Sequence, residues 1–408
     1  MTSTGIPATD GEPKGGGGPG RSRAMRFVLL VGVMSLFADM TYEGSRSITG
    51  PYLALLGASA TAVGIVAGGG ELLGYSLRLV SGRLADISGR YWPITIAGYV
   101  VQMAAVPALA LAGSWQAAAI LIALERTGKA LRNPPRDAML ARATVEIGRG
   151  WGFGVHEALD QLGAMIGPLV AAAVLALRGD YRIAFALLLV PALTTLAILA
   201  VARLTYPNPS ELAAKPADVH AAGLPPELWV YLGAVMLVAA GFADFSLMSF
   251  HFAKAGTVAP DLVPVFYAAA MGAGGLGSLL LGRTFDRAGI VVLVPLTAAS
   301  ALFAPMVFLG AAWVAFVGVV LWGLGMGVHE SIMAAAVAEM VPSTRVASAY
   351  GLFNLLYGVA WFAGSATMGV LYDVSIPLLV GFCVSVELLA IPLLLRVHSL
   401  RSSGAKMA

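Results

Sequence analysis

Nine acidic side chains fall inside long apolar stretches of this sequence: Asp39, Glu43, Glu71, Glu125, Glu157, Asp160, Asp244, Glu330 and Glu387. Four basic ones fall there too: Arg46, Arg78, Arg126 and Lys129. Their spacing gathers them. Asp39, Glu43, Arg46 and Gly50 follow i, i+4, i+7 and i+11, which is one stripe of a helix. Glu71, Tyr75 and Arg78 form a second stripe, and Glu125 and Lys129 stand four apart. His156 and Asp160 are also four apart, with Glu157 and Gln161 on the neighbouring row. Proton transfer is the chemistry such groups support. A carboxyl screened from water holds its proton more firmly and a nearby cation loosens it, so alternating surroundings load and unload it. Asp39, Glu43, Glu157 and Asp160, with His156, are the candidate proton carriers. Arg46, Arg78 and Arg126, with Glu71 and Glu125, are the candidate charge partners. The same residues would serve equally as static ion pairs. Six of the nine acids and all four bases lie in the first half of the chain. The excess of acids suits a cationic or neutral amphipathic cargo.

The second half offers a different surface. Phe245, Met248 and Phe252 share one helical row beside Asp244 and His251. Trp322, Met326, His329 and Met333 share another, and Asn354, Tyr357 and Trp361 a third. Aromatic and methionine surfaces accept varied apolar ligands, although plain helix packing uses the same residues. The candidate cargo contacts are Tyr42, Asp244, Met248, Met326, Asn354, Tyr357 and Trp361. The five histidines are scattered without an H-E-x-x-H pair, and Cys383 is the single cysteine. Hydrolytic metal chemistry and thiol catalysis therefore lack their residues. No resident metal or cofactor is expected. His156, Glu157 and Asp160 keep divalent-metal export open as a further alternative.

These side chains need membrane helices to position them. The chain has 408 residues, 58% hydrophobic and only 12% charged, where soluble proteins carry roughly 25% charged residues. A bilayer core about 30 Å thick takes roughly 20 apolar residues per helix, which leaves room for about a dozen spans. The expected spans are 26–55, 61–82, 92–112, 115–140, 149–177, 181–204, 228–253, 261–284, 289–310, 313–339, 344–371 and 375–396. Residues 1–24, rich in Gly, Pro, Ser and Thr, are expected to be a disordered tail. Residues 205–227, with five prolines and Glu211, Lys215, Asp218 and His220, read as a linker. The organisation is then a six-helix bundle over 25–204, the linker over 205–227, a second six-helix bundle over 228–397 and a tail over 398–408. Lys and Arg concentrate in alternate loops, on the side that holds Arg83, Arg90, Arg283, Arg287 and Arg345; Arg132, Arg136 and Arg142 count with them. The opposite loops hold only Arg178, Arg182 and Lys254. Both termini are therefore placed in the cytoplasm of a multi-pass inner-membrane protein. One loop charge at a time gives no basis for nucleic-acid binding.

A repeat ties the halves together. The loop after span two reads SGRLADISGR, with Gly82, Asp86, Gly89 and Arg90; the loop after span eight reads LGRTFDRAGI, with Gly282, Asp286, Arg287 and Gly289. Phe37-Ala38-Asp39 in span one likewise echoes Phe242-Ala243-Asp244 in span seven. Parallel six-span repeats are a known transporter plan, with the binding site at mid-membrane between them. The sequence resembles the major facilitator superfamily, whose loop motif G-x-L-x-D-R-x-G-R-R is matched at Gly82, Leu84, Asp86, Gly89 and Arg90, and departed from at Ile87 and Tyr91. Span five, GVHEALDQLGAMIGPLVAA, is similar to the superfamily's antiporter motif through Gly154, Gly163, Gly167 and Pro168. Ala171 and Ala172 stand where that motif has glycines. Span four, with Arg126, Arg136 and Asp137, resembles a broad group of prokaryotic permeases of mostly unassigned substrate.

The resemblance implies an all-helical fold of twelve spans in two pseudo-symmetric bundles and transport by alternating access, working as a monomer. It further implies proton-coupled export of a small molecule, driven by the proton gradient. Proton-coupled import of a small polar metabolite is the alternative. It also implies gates: Asp86 against the start of span eleven near Thr344 and Arg345, Asp286 against the start of span five near Gly148 and Gly150, and Arg90 paired with Asp137. The span-five glycines are expected to pack against a helix of the other half.

Overall fold

The structure is a computed structural model that describes residues 19–144, 147–207, 224–342 and 345–407. The tail up to residue 18, most of the linker with Glu211, Lys215, Asp218 and His220, and Thr344 lie outside the described residues, as does the side chain of Glu330.

Among the described residues, sixteen α-helices run as twelve consecutive passes. The first half holds α1 (Pro19–Leu55), α2 (Ala60–Ser88), α3 (Tyr91–Ala108), α4 (Trp115–Ala143), α5 (Arg149–Arg178) and a broken sixth pass, α6 (Tyr181–Leu187) with α7 (Leu189–Thr205). The second half begins with another broken pass, α8 (Pro226–Gly241) and α9 (Phe245–Ala255), followed by α10 (Leu262–Ala288). The ninth pass is α11 (Leu293–Ser300) with α12 (Phe303–Leu309), and the tenth is α13 (Ala312–Gly327) with α14 (Met333–Met340). The chain closes with α15 (Val346–Val374) and α16 (Ile376–Met407). Among the described residues, nine helical stretches are long and apolar enough to cross a bilayer. The other passes differ for visible reasons: α4 carries charges in mid-helix, the tenth pass is interrupted by a π-helical turn at Val328–Ile332, and the ninth continues from α10 through a 3-10 turn at Gly289–Val292.

Local chemistry sets the helix ends. Ser59 and Ser114 cap α2 and α4, accepting from Ala62 N at 3.1 Å and Ala117 N at 3.3 Å. Gly89, at φ +65°, closes α2 in the left-handed conformation that lets the chain reverse inside the repeated loop. The seventh pass breaks after Gly241 and restarts at Asp244, whose carboxylate accepts from Ser246 N at 2.8 Å.

Helices of the two halves meet along two seams, α2 with α15 and α5 with α10, and α1 crosses to α9. Apolar packing is uneven along the molecule. At the end away from the termini, Ile48, Tyr52, Ala60, Leu109, Leu175 and Phe185 join the core of the second half in one continuous cluster. At the terminus-bearing end the first half has a separate core around Phe27, Val31, Tyr91, Trp92, Leu140 and Leu199. Apolar packing thus joins the halves continuously at the far end, while near the termini the first half keeps a core of its own.

Candidate functional site

Between the halves lies a cavity of about 360 Å³. From the first half it is lined by Asp39, Glu43, Arg46, Lys129, Glu157, Asp160, Gln161 and Ala164. The opposite wall is Tyr267, Met271, Gly274, Gly275 and Ser278 of α10, with Gly323, Met326, Gly327 and Ser331 of the tenth pass. All five candidate proton carriers but His156 therefore touch one space. His156 sits behind the wall, its Nε2 3.5 Å from Asp160.

Beneath the cavity the charge partners form one connected network. Arg46 binds Glu71 at 3.1 Å and Asp244 at 2.9 Å, so it links α1 to α2 and to the start of α9. Arg126 binds the same Glu71 at 3.0 Å, pairs with Glu125 at 3.5 Å and donates to the Tyr42 hydroxyl. Glu125 accepts from Gln102 at 2.9 Å, and Gln102 in turn accepts from Arg132 at 2.6 Å. Arg132 also reaches the Tyr99 hydroxyl at 2.9 Å and Asp39 at 3.5 Å. Buried charges persist when each is paired, which this network achieves by sharing Glu71 between two arginines, although Nε of Arg46 and of Arg126 has no hydrogen-bond partner among the described residues. The Lys129 ammonium takes a different partner, the face of Tyr42 at 3.4 Å from the ring centroid. Two bonds cross from this floor to the second half: Arg46 to Asp244, and Tyr267 donating to Glu43 at 2.5 Å.

Some groups on α5 remain unengaged. Asp160 Oδ1, Gln161 Oε1 and the ring nitrogens of His156 are buried without a hydrogen-bond partner among the described residues. Glu157 is exposed on the wall and accepts only from Gln161, at 3.2 Å.

Several sequence expectations need correction. Arg132 and Arg136, counted with the cytoplasmic loops, are buried in α4, at 1% and 7% exposure. The helix continues through Pro134-Pro135 to Ala143 and keeps both within the bundle, Arg136 on Ser35 at 3.0 Å. Arg132, Gln102, Tyr99 and Tyr267 belong to the site; Arg132 reads in sequence as a loop charge, and the other three are uncharged residues in apolar stretches. Arg78 stays outside the network and lies over the ring of Tyr75. Of the proposed cargo contacts, only Met326 lines the cavity. Tyr42 and Asp244 belong to the floor, Met248 is buried in the packed core, and Tyr357 and Trp361 stack in a ring cluster with Phe242 and His329. Asn354 is half-buried on α15, away from the cavity wall.

The gate residues stand as follows. Asp86 accepts from Tyr91 Oη at 2.9 Å, and Asp137 pairs with Arg136 at 2.8 Å, so the expected partner of Arg90 is taken. Asp286 is exposed, as are Arg90 and Gly89. Gly82 faces Pro134 of α4. In α5, Gly163 and Gly167 lie against the backbone of Leu36 and Met40 in α1, and Pro168 is buried beside them. The span-five glycines therefore pack within their own half. The close approach to the other half is made by glycines of α10, Gly272 against Met165 and Gly275 against Gln161. Gly154 faces open space. Among the described residues no group of three or more His, Cys, Asp or Glu side chains is placed to hold a metal ion.

Comparison with known proteins agrees with this geometry. The family model described as Major Facilitator Superfamily matches residues 29–365. An uncharacterized protein of Mycobacterium tuberculosis is 43% identical over 383 residues, spanning 92% of this chain and 93% of its own length. An uncharacterized MFS-type transporter of Methanocaldococcus jannaschii is 31% identical over 140 residues, 34% of this chain and 35% of its own. Among solved structures, the nucleoside transporter NupG superimposes with a TM-score of 0.72 at 14% identity, over 91% of this chain and 98% of its own. A POT family transporter in complex with 5-aminolevulinic acid gives 0.74 at 13% identity, over 92% and 96%.

Proposed function

The chain belongs to the major facilitator superfamily and is a membrane transport protein, and on that footing we propose that it is a proton-coupled antiporter exporting a small organic cation or amphipathic molecule. The observation that carries the proposal is the set of unengaged acceptors on α5. Asp160 Oδ1 and Gln161 Oε1 are buried without a donor just behind the cavity lining, where a turn of either side chain would bring its oxygen to the surface, and Glu157 is exposed on the wall with Gln161 as its donor. Four carboxylates and two cations share that wall, and both cations are already committed, Arg46 to Glu71 and Asp244 and Lys129 to Tyr42. A cargo bringing N–H donors would satisfy those oxygens, while Met271, Met326 and the glycine face would receive its apolar part.

Exchange follows from shared acceptors. A carboxylate that holds a cation releases its proton, and one that loses the cation takes a proton up again. The continuous apolar core closes the far end, so access to the cavity is read as lying toward the terminus-bearing end, which the Lys and Arg distribution puts in the cytoplasm. Cargo loads there, protons leave there, and rocking about the closed end reverses the access. The protein works as a monomer in the inner membrane.

Import by proton symport is the second reading. It is favoured by the presence of both signs of charge in one wall, which also suits a zwitterion. The structural neighbours named above as a nucleoside transporter and as a carrier with bound 5-aminolevulinic acid fit it too. The span-five glycines no longer argue against it, since they pack on α1.

The test is proton flux in proteoliposomes holding an internal pH dye, challenged with ethidium and with primary amines. Wild-type protein is expected to move protons against the cation. Asp160→Asn and Glu157→Gln are expected to reduce that coupled flux at least tenfold. Coupled flux equal to wild type in both variants refutes the proposal, and proton and cargo moving in the same direction establishes symport.

A further inference from the structure

Asp373 ends α15 at the far side of the molecule, where the sequence suggests only a turn. Its carboxylate reaches across to the other half. One oxygen accepts from Ala60 N at 3.2 Å, and the other accepts from Thr61 N at 2.9 Å and from Thr61 Oγ1 at 2.7 Å. Ala60 and Thr61 are the first residues of α2, whose opening N–H groups have no partner inside the helix. A carboxylate from one half thus caps a helix of the other, and the helix dipole adds to the attraction. The same seam is closed by backbone contact: a Cβ on Gly64 would strike Ser365, and one on Gly369 would strike Ala60 and Thr61.

We infer that Asp373 is the latch of the far end, holding α2 to α15 in this state and releasing when the cavity opens on that side. The inference rests on alternating access and is independent of cargo and protons. Placement supports it. The α2–α15 pair carries one aspartate at each end: Asp373 engages the other half, while Asp86, at the terminus-bearing end, accepts from Tyr91 of its own half. Among the described residues the α5–α10 seam, related by the repeat, shows no such device: Asp180, just after α5, caps α6 by accepting from Arg182 N at 2.7 Å instead. The cap is exposed, which keeps it weak enough to break in every cycle. Asp373 is a positioning residue, acting on the cavity through α2.

The test uses the full-length protein in proteoliposomes with spin labels at Leu111→Cys and Leu309→Cys, both exposed at the far end and on opposite halves, with Cys383 buried. A second labelled pair, Ile87→Cys and Arg287→Cys, reports the terminus-bearing end. Loss of a helix cap shifts an equilibrium by about five- to tenfold, so Asp373→Asn is expected to raise the long-distance population of the far pair by about that factor. The short-distance population of the terminus-end pair should rise with it. Thr61→Val, which removes one donor, is expected to give a smaller shift, and the double variant no more than Asp373→Asn alone. Two wild-type populations at both pairs that neither substitution moves would leave rocking intact and overturn the latch. A single population at both pairs in wild type and variants would overturn rocking and latch together.

Discussion

The first half of the molecule is organised by charge and the second by rings and glycine. Asp39 and Asp244 occupy matching places in the repeat, yet Asp39 lines the cavity with Arg132 at 3.5 Å, whereas Asp244 caps α9 and takes Arg46 from across the interface at 2.9 Å. Where α1, α2 and α4 share Glu71, Arg46 and Arg126, the second half stacks Phe242 against Phe303, Trp322, His329 and Trp361. Both halves keep close helix approach by the same means: Gly163 meets Leu36, and Gly323 meets Ala270. The repeat therefore preserves the course of the backbone and not its chemistry. One wall can bind and titrate while the other offers a smooth surface for it to move against.

The sharpest way to break this contrast is at Arg46. Replacing it with Met leaves the buried Asp244 without its cation and Glu71 with Arg126 alone, and removing one partner of a buried pair costs about 3–5 kcal/mol. Arg46→Met should lower the thermal unfolding midpoint in detergent more than any single ring-to-Leu change in the Phe242 cluster. A larger loss from Phe242→Leu would show that the rings, not the charges, hold the molecule.

How much of this was legible beforehand follows the same division. Span boundaries were readable because bilayer thickness demands long apolar runs, and the α1 stripe was readable because Asp39, Glu43 and Arg46 repeat at helical spacing on one chain segment. Arg132 was misplaced because a polar helix end looks like a loop until Tyr99 and Gln102 are seen beside it. Tyr267 and Ser278 sit in a glycine-rich run with no polar stripe, so only their facing partners mark them. Met248 and Met326 were equivalent by composition. Which of them meets the cavity depends on how the half is turned, and no local pattern encodes that.

Glu387 sharpens the comparison from the other side. It is fully buried in α16 against Gly241 of α8 and faces the Ser300 hydroxyl, but the two do not close a hydrogen bond of good geometry, and neither carboxyl oxygen has another partner among the described residues. An unsatisfied buried polar group costs about 1–3 kcal/mol. Glu387→Met, similar in volume, should therefore raise the unfolding midpoint, the opposite sign to removal of Glu71 in the first half. A clear fall with Glu387→Met and no fall with Glu387→Gln would mean that this acid is hydrogen-bonded in its place and that the second half also depends on a polar group.

The finest test lies where the two chemistries touch. Tyr267 packs its ring on Phe245, centroids 4.5 Å apart, and gives its hydroxyl to Glu43 at 2.5 Å. It is therefore a ring of the second half serving the charge network of the first. Tyr267→Phe keeps the packing and removes only the donor. Net loss is expected near the usual worth of a hydrogen bond to a charged group, about 1.5–3 kcal/mol, reduced by whatever water reaches Glu43 from the cavity. A double-mutant cycle with Glu43→Gln separates the two contributions. Coupling between the substitutions would place the bond itself at the junction of the halves. Strict additivity would leave Tyr267 as packing alone, and the division between a charged half and a ring-built half would then run unbroken along the cavity.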